Sequence, residues 1–325
     1  MSSKEPFFDK DATGEGESGA GVVVDSEVAA YEAAQRLEEE RRRHDARLLQ
    51  HAQPIYDSLF KNNPYEVNAG LSRGNRKRIG HLHNVCLAYN QAADLEAMLG
   101  IMFRLSRLGF HADSEGKFVD LGSGVGCMAI AAVLAHNFHS AMGIEVLEDL
   151  HGAALGIQKR WKGYTAGLVA QAALEEEQAD AEAKEAVQAK RSHGQKKSDI
   201  LVHFKLGDCC YTDWADGDVV VCHATCFDDV SLARISERVR ELKPGSFFII
   251  VTKKLPDDAL DFFQLLETGA LALNWGQASV HYYRRNRVPS PSYIPNKIDY
   301  IAGIIARKAL PVFDPNRARL IEEEL

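Results

Sequence analysis

Cysteine and proline are scarce in this chain of 325 residues, with six of the first and ten of the second. Six cysteines without a CxxC pair are too few for a disulfide scaffold, so a reducing, intracellular setting is expected, with thiols acting as small apolar fillers. No apolar run approaches the roughly 20 residues of a membrane-spanning helix. The opening residues, MSSKEPFFDKDATGEGESGAG, have no apolar centre and no cleavage pattern, so no signal peptide is expected. Positive charge is also in deficit: 38 Lys and Arg face 46 Asp and Glu, a net charge of −8. A uniformly basic coat for nucleic acid is therefore excluded, and any contact with DNA or RNA must come from local patches. What remains is ordinary globular material, 46% hydrophobic and 26% charged. The length suggests two domains, or one domain with a large N-terminal extension.

Residues 1–25 are rich in Gly, Ser and acids and are expected to be disordered. Residues 26–115 read as mainly helical. EEERRRHDAR carries alternating charge blocks typical of a solvated helix face. DLEAMLGIMFRLSRL has apolar side chains at helical spacing, with Asp94 placed as a cap. From residue 116 the rhythm changes. KFVDL, AMGIEV, DILVHFKL, DVVVCHA and SFFIIVT read as buried strands, separated by the helices CMAIAAVLAHNF, LEDLHGAALGIQKRW and SLARISERVRELKPG. Strands alternating with helices predict a parallel sheet covered on both faces. ALALNW and ASVHYYRR lie close enough to form an antiparallel hairpin. A catalytic domain over 116–310 is expected, with an exposed Ala/Glu-rich helical insertion at about 166–198 and a tail at 311–325.

The chemistry centres on Asp120-Leu-Gly122-Ser123-Gly124-Val-Gly126, set between a strand and a helix. Glycines there permit positive φ and allow a ligand to approach closely. The preceding acid suits a ligand bearing positive charge better than a pyrophosphate, and S-adenosylmethionine carries both a sulfonium and an ammonium. The alternative is a turn whose Asp caps the next helix. Glu145 ends the second strand about 20 residues on, where a carboxylate accepts ribose hydroxyls. Asp208 follows the third strand, placed for the exocyclic amine of adenine, with Cys209 packing on the ring. Asp208 alone also reads as a surface turn acid.

FVDLGSGVG, GIEV, LGDCCYTDW, VVVCHATCF, ELKPGSFFIIVTKKLP and NWGQASVHYY occur in an order and spacing that resembles the Dot-one (disruptor of telomeric silencing) histone lysine methyltransferases over about residues 87–285. The resemblance implies a class I methyltransferase fold: a Rossmann-like, doubly wound, mostly parallel α/β sheet ending in an antiparallel hairpin, with a helical N-terminal region. It implies S-adenosylmethionine as cofactor, held by Asp120, Gly122, Ser123, Gly124, Gly126, Glu145 and Asp208. Tyr89 and Gln91 match the family's tyrosine-bearing loop, with Tyr65-Glu66 as a rival match. Phe227, Trp275 and Tyr282 would line a narrow channel for the substrate lysine, and His223 would stand near the methyl donor, where the family has an asparagine-rich motif. Ordinary core packing is the other reading of these aromatics. Period two places Val280 and Tyr282 on one strand face and His281 and Tyr283 on the other.

Methyl transfer from a sulfonium needs a neutral amine in line with the methyl carbon. An aromatic, apolar channel strips a lysine of its proton by desolvation, so no metal is expected. His223 and Cys226 lack a matching second pair of ligands. The implied substrate is a globular-core lysine of histone H-three in the nucleosome, in the nucleus. Arg73–Arg78, Lys190–Lys197 and Arg284–Arg287 are candidate contacts to DNA phosphate, or equally solvated faces balancing nearby acids. The alternatives are a non-histone protein or RNA substrate, or a non-catalytic scaffold of the same fold.

Overall fold

A computed structural model of the chain describes residues 20–79, 94–110, 116–178, 184–273 and 276–286. Two compact units divide it after Leu48. The first helix, α1 (Ala20–Phe60), crosses this division. It begins at Ala20, inside the stretch expected to be disordered. In the first unit its residues 28–48 are almost all exposed, and Arg36, Arg42 and Arg43 each pair with a glutamate four residues earlier. That is the solvated face the charge blocks predicted, and each such pair adds only about 0.3–0.5 kcal/mol.

The second unit holds the remaining helical lead and the sheet. After α1 come α2 (Tyr65–Ile79) and α3 (Leu95–Arg107). Asp94 caps α3 as expected, accepting from the Ala97 amide at 2.8 Å. Leu95, Met98, Leu99, Met102 and Leu105 form its buried stripe. The strands are β1 (Lys117–Leu121), β2 (Ser140–Glu145), β3 (Leu201–Leu206), β4 (Val219–His223), β5 (Phe247–Val251), β6 (Phe263–Leu273) and β7 (Gly276–Arg285). They form one sheet in the order β3-β2-β1-β4-β5-β7-β6. All neighbours are parallel except β7, which runs antiparallel to both β5 and β6. This is the class I methyltransferase topology.

Helices α4 (Cys127–Ala135), α5 (Glu148–Gln178), α6 (Lys184–Asp199) and α7 (Asp229–Val239) complete the fold. The central strands are apolar throughout because both faces are covered. Val119, Leu121, Val220, Cys222, Phe248, Ile250 and Tyr283 share one face, where Ile235 and Val239 of α7 and the indole of Trp214 seal them. On the other face, Asp120, Val221, Ile249 and Tyr282 lie in one register row.

Residues 166–198 do not continue a single helix. α5 ends at Gln178 and α6 returns antiparallel to it, with Gly194 against Leu168 and Lys190 paired to Glu175. This hairpin is tied to the core by a buried lysine. Lys197 Nζ donates to the carbonyls of Val133 (2.5 Å) and His136 (3.3 Å), at the open C-terminal end of α4. On the other side of α5, Arg160 donates to Leu59 O and Asn63 Oδ1, and Asn75 of α2 accepts from the Asp149 amide in the first turn of α5.

Candidate functional site

The parallel strands deliver their C-terminal ends to one edge of the sheet, and three adjacent ends are lashed together there. The amides of Gly122 and Ser123 donate to Ile144 O at 2.9 and 3.0 Å. The Gly124 amide donates to Glu145 Oε2 at 2.7 Å, and the Leu147 amide to Oε1 at 2.8 Å. The Glu145 carbonyl accepts from the Gly207 amide at 2.8 Å. Glu145 therefore faces the glycine bend. The Val146 amide also bonds this carboxylate, which leaves about one of its four lone-pair sites for a hydroxyl donor. The bend needs its glycines: Gly122, Gly124 and Gly126 have φ of 77°, 56° and 91°.

The three glycines divide in role. Gly122 is exposed, and a Cβ there would stand 3.2 Å from Phe227 Cζ. Gly126 faces inward, and a Cβ there would come within 2.5 Å of Phe204 Cε1. Gly143, the register partner of Phe204, is equally covered by that ring. Gly126 is thus a packing glycine for Phe204, and the expected approach of a ligand falls to exposed Gly122. Phe204 was not singled out in the sequence. Its signal was the β2–β3 register, which places a large ring beside a residue with no side chain.

Asp120 is only 2% exposed. Burial, reinforced by the charge of Glu145, pushes its carboxyl up to about 8. Burial also raises Glu145, partly offset by the backbone amides that it accepts. Two buried acids at a glycine bend are stabilised as anions by a cation. Asp208 is half-buried in the turn after β3. Its Oδ1 accepts from the Cys210 amide at 2.8 Å, and its carbonyl accepts from Tyr211 and Thr212. This turn folds Cys209 inward. The thiol joins the core with Leu121, Ile144 and Trp214, so Cys209 is not presented at the rim as an adenine-facing surface.

After β4 the chain makes a single 3-10 turn, Ala224–Cys226, which sets Phe227 against the glycine bend. Burial holds the His223 imidazole down to about 4, so it is neutral near pH 7. Tyr282 lies in the Asp120 row of the sheet. Its ring lies beside Gly269 of β6, next to the ion pair of Arg104 and Glu267, and burial raises its phenol. Period two was correct for this strand, but the hairpin carries the ring toward β6. Trp275 falls in the two-residue link between β6 and β7, outside the described residues, as do Tyr89 and Gln91. The rival Tyr65 opens α2 and is exposed.

One further rim residue was invisible in the sequence. Thr252, just past β5, has φ 78°, a left-handed conformation that is costly for a β-branched side chain. It is held by its amide to Ser279 O (2.7 Å) and by a hydroxyl–hydroxyl bond to Thr225 (2.8 Å). It thereby fixes the turn that carries Phe227.

Some of the candidate phosphate contacts are engaged within the protein. Lys190 and Arg191 pair with Glu175 and Glu176, and Lys197 is buried. Arg285 is buried over Phe262 and donates to the carbonyls of Arg240, Leu242 and Phe262. Arg73 and Arg284 stay exposed, whereas Arg287 and the side chains of Arg76, Lys77 and Arg78 lie outside the described residues.

No protein family and no curated protein matches the chain. Among solved structures, it is similar to an RNA methyltransferase from Salinibacter ruber in complex with S-adenosyl-L-homocysteine, at 18% identity over 61% of this chain and 93% of that one, with a TM-score of 0.37. It is also similar to the rRNA methyltransferase aviRa from Streptomyces viridochromogenes, at 17% identity over 65% and 92%, TM-score 0.41. A third is the putative methyltransferase yhhF from Escherichia coli, at 10% identity over 62% and 90%, TM-score 0.40. The fold stands on the strand order itself.

Proposed function

We propose that the chain is an S-adenosylmethionine-dependent methyltransferase. The observation that carries this reading is the join between Glu145 and the Gly124 amide beside buried Asp120. It brings an acid for a ligand cation and an acid for ribose hydroxyls to one glycine bend. When bound, S-adenosylmethionine supplies an electrophilic methyl group on a sulfonium. Asp120 would meet the donor's positive end, Glu145 its ribose and Asp208 its adenine amine. The Phe227 ring beside Gly122 offers no charge to hold an ammonium, and His223 at the end of β4 is neutral. Desolvation there favours the free base of a nitrogen nucleophile, and an aromatic face also stabilises the methylated cation.

The substrate is the finer question. A histone lysine is supported by the sequence resemblance alone. The cations expected to meet nucleosomal DNA are partly consumed within the fold. We therefore place a non-histone protein or an RNA ahead of the nucleosome. Single-stranded RNA is bound through stacking on rings such as Phe227 as well as through phosphate. Label transfer from the donor to total RNA, cell-extract protein, free histones and nucleosomes, run in parallel, decides between them. Label confined to histone H-three within nucleosomes overturns this ranking.

Gly124→Arg is expected to abolish donor binding in calorimetry, because a long side chain at this buried, left-handed position breaks the join between the bend and Glu145. Unchanged affinity in a folded variant overturns the pocket.

A further inference from the structure

Three of the six cysteines converge at one place. Cys209, Cys210 and Cys222 are all buried in the same core cluster. The ligand atoms of Asp208, Cys209 and Cys210 lie within 4.8 Å of one another. Consecutive cysteines in a strand would point to opposite faces. Here the turn closed by Tyr211 and Thr212 on the Asp208 carbonyl directs both thiols inward, and the Asp208–Cys210 amide bond fixes the carboxylate beside them.

We propose that Asp208, Cys209 and Cys210 form a binding site for a thiophilic divalent cation of the zinc class, and that its occupation excludes the methyl donor. With the three ligand atoms already within 4.8 Å of one another, a small closing of the triangle brings each to the roughly 2.0–2.3 Å at which zinc binds oxygen and sulfur. Thiolates select such a metal over magnesium or calcium. Binding releases the two thiol protons and moves no electrons. Three protein ligands leave a fourth position for water. Asp208 is half-buried and gives the ion a route from solvent. With one Asp208 oxygen accepting from the Cys210 amide and its charge drawn to the metal, the carboxylate becomes a much weaker acceptor for an adenine amine. The exclusion of the donor therefore rests on the function proposed above, whereas the metal site does not.

The test uses the full reduced chain, with cobalt(II) as spectroscopic probe and zinc as competitor. One equivalent of cobalt is expected to give a thiolate-to-metal absorption band that zinc abolishes. Cys209→Ser and Cys210→Ser are each expected to weaken binding by more than about tenfold, the least that losing even an outer partner costs. Asp208→Asn keeps the oxygen that accepts from Cys210, so it preserves the turn and serves if the serine variants fail to fold; it is expected to weaken binding while retaining the band. Cys226→Ser is expected to bind as the wild type does. No band in the wild type, a band unaltered in all three site variants, or a band lost with Cys226→Ser overturns the site. Donor calorimetry with and without one equivalent of zinc then tests the exclusion. Donor affinity is expected to fall with zinc in the wild type and not in Cys210→Ser. Equal affinity with zinc overturns the exclusion and leaves the site standing. A zinc-free chain that binds no donor overturns the methyltransferase reading, while the cobalt spectrum still decides the metal site.

Discussion

Gly126→Ala is expected to destabilise the protein by about 2–5 kcal/mol. About 1–2 kcal/mol comes from a side chain at left-handed φ, and about 1–3 from pressing a methyl group into a packed ring. At roughly 2–4 °C per kcal/mol for a domain of this size, the thermal midpoint falls by roughly 10 °C. Phe204 is the ring that would be struck. In a Phe204→Leu background the same substitution should cost distinctly less, since the two changes share one contact. Equal costs in both backgrounds would show that Phe204 does not set the requirement. Gly100→Ala is the opposite case. It lies on exposed α3 surface with nothing within 4 Å of an added Cβ, and is expected to stabilise by about 0.5–1 kcal/mol. Differential scanning calorimetry reads all four variants.

Donor affinity is expected to rise with pH up to about 8. Below that value Asp120 holds a proton, because burial and Glu145 have raised its carboxyl to about 8. A cationic donor must displace that proton, which costs about 1.36 kcal/mol for each pH unit below the folded value. The slope approaches tenfold per unit between pH 6 and 8. It ends there, where the donor's own α-amino group begins to lose its proton. Asp120→Asn should weaken donor binding roughly 10–100-fold, the loss of one charge-assisted hydrogen bond, and should flatten the pH profile. A steep profile that survives in Asp120→Asn would remove Asp120 from the site.

The same group sets a trend in stability. Folded Asp120 keeps a proton that the unfolded chain gives up near 3.8. Its contribution is therefore fully present below that value and declines as pH rises toward 8. Chemical denaturation of the donor-free protein at pH 5 and pH 8 measures this, and Asp120→Asn should reduce the difference.

Local pattern alone settled much of this molecule. The apolar runs at β1, β2, β4 and β5 and the Asp94 cap required only short-range chemistry, and each is where the residues placed it. The DxGxGxG bend and the acids Glu145 and Asp208 were legible because strand ends in such a sheet must open onto a common edge. Which side chain fills which space was decided by register and by long-range packing. The β2–β3 pairing put Phe204 under Gly126, the turn at Asp208 rolled two thiols into the core, and the hairpin carried Tyr282 toward Glu267. Lys197 reads as a surface cation until α6 folds back and offers it the bare carbonyls of α4. A sequence states which groups need partners; only the closed chain determines which partners lie within reach.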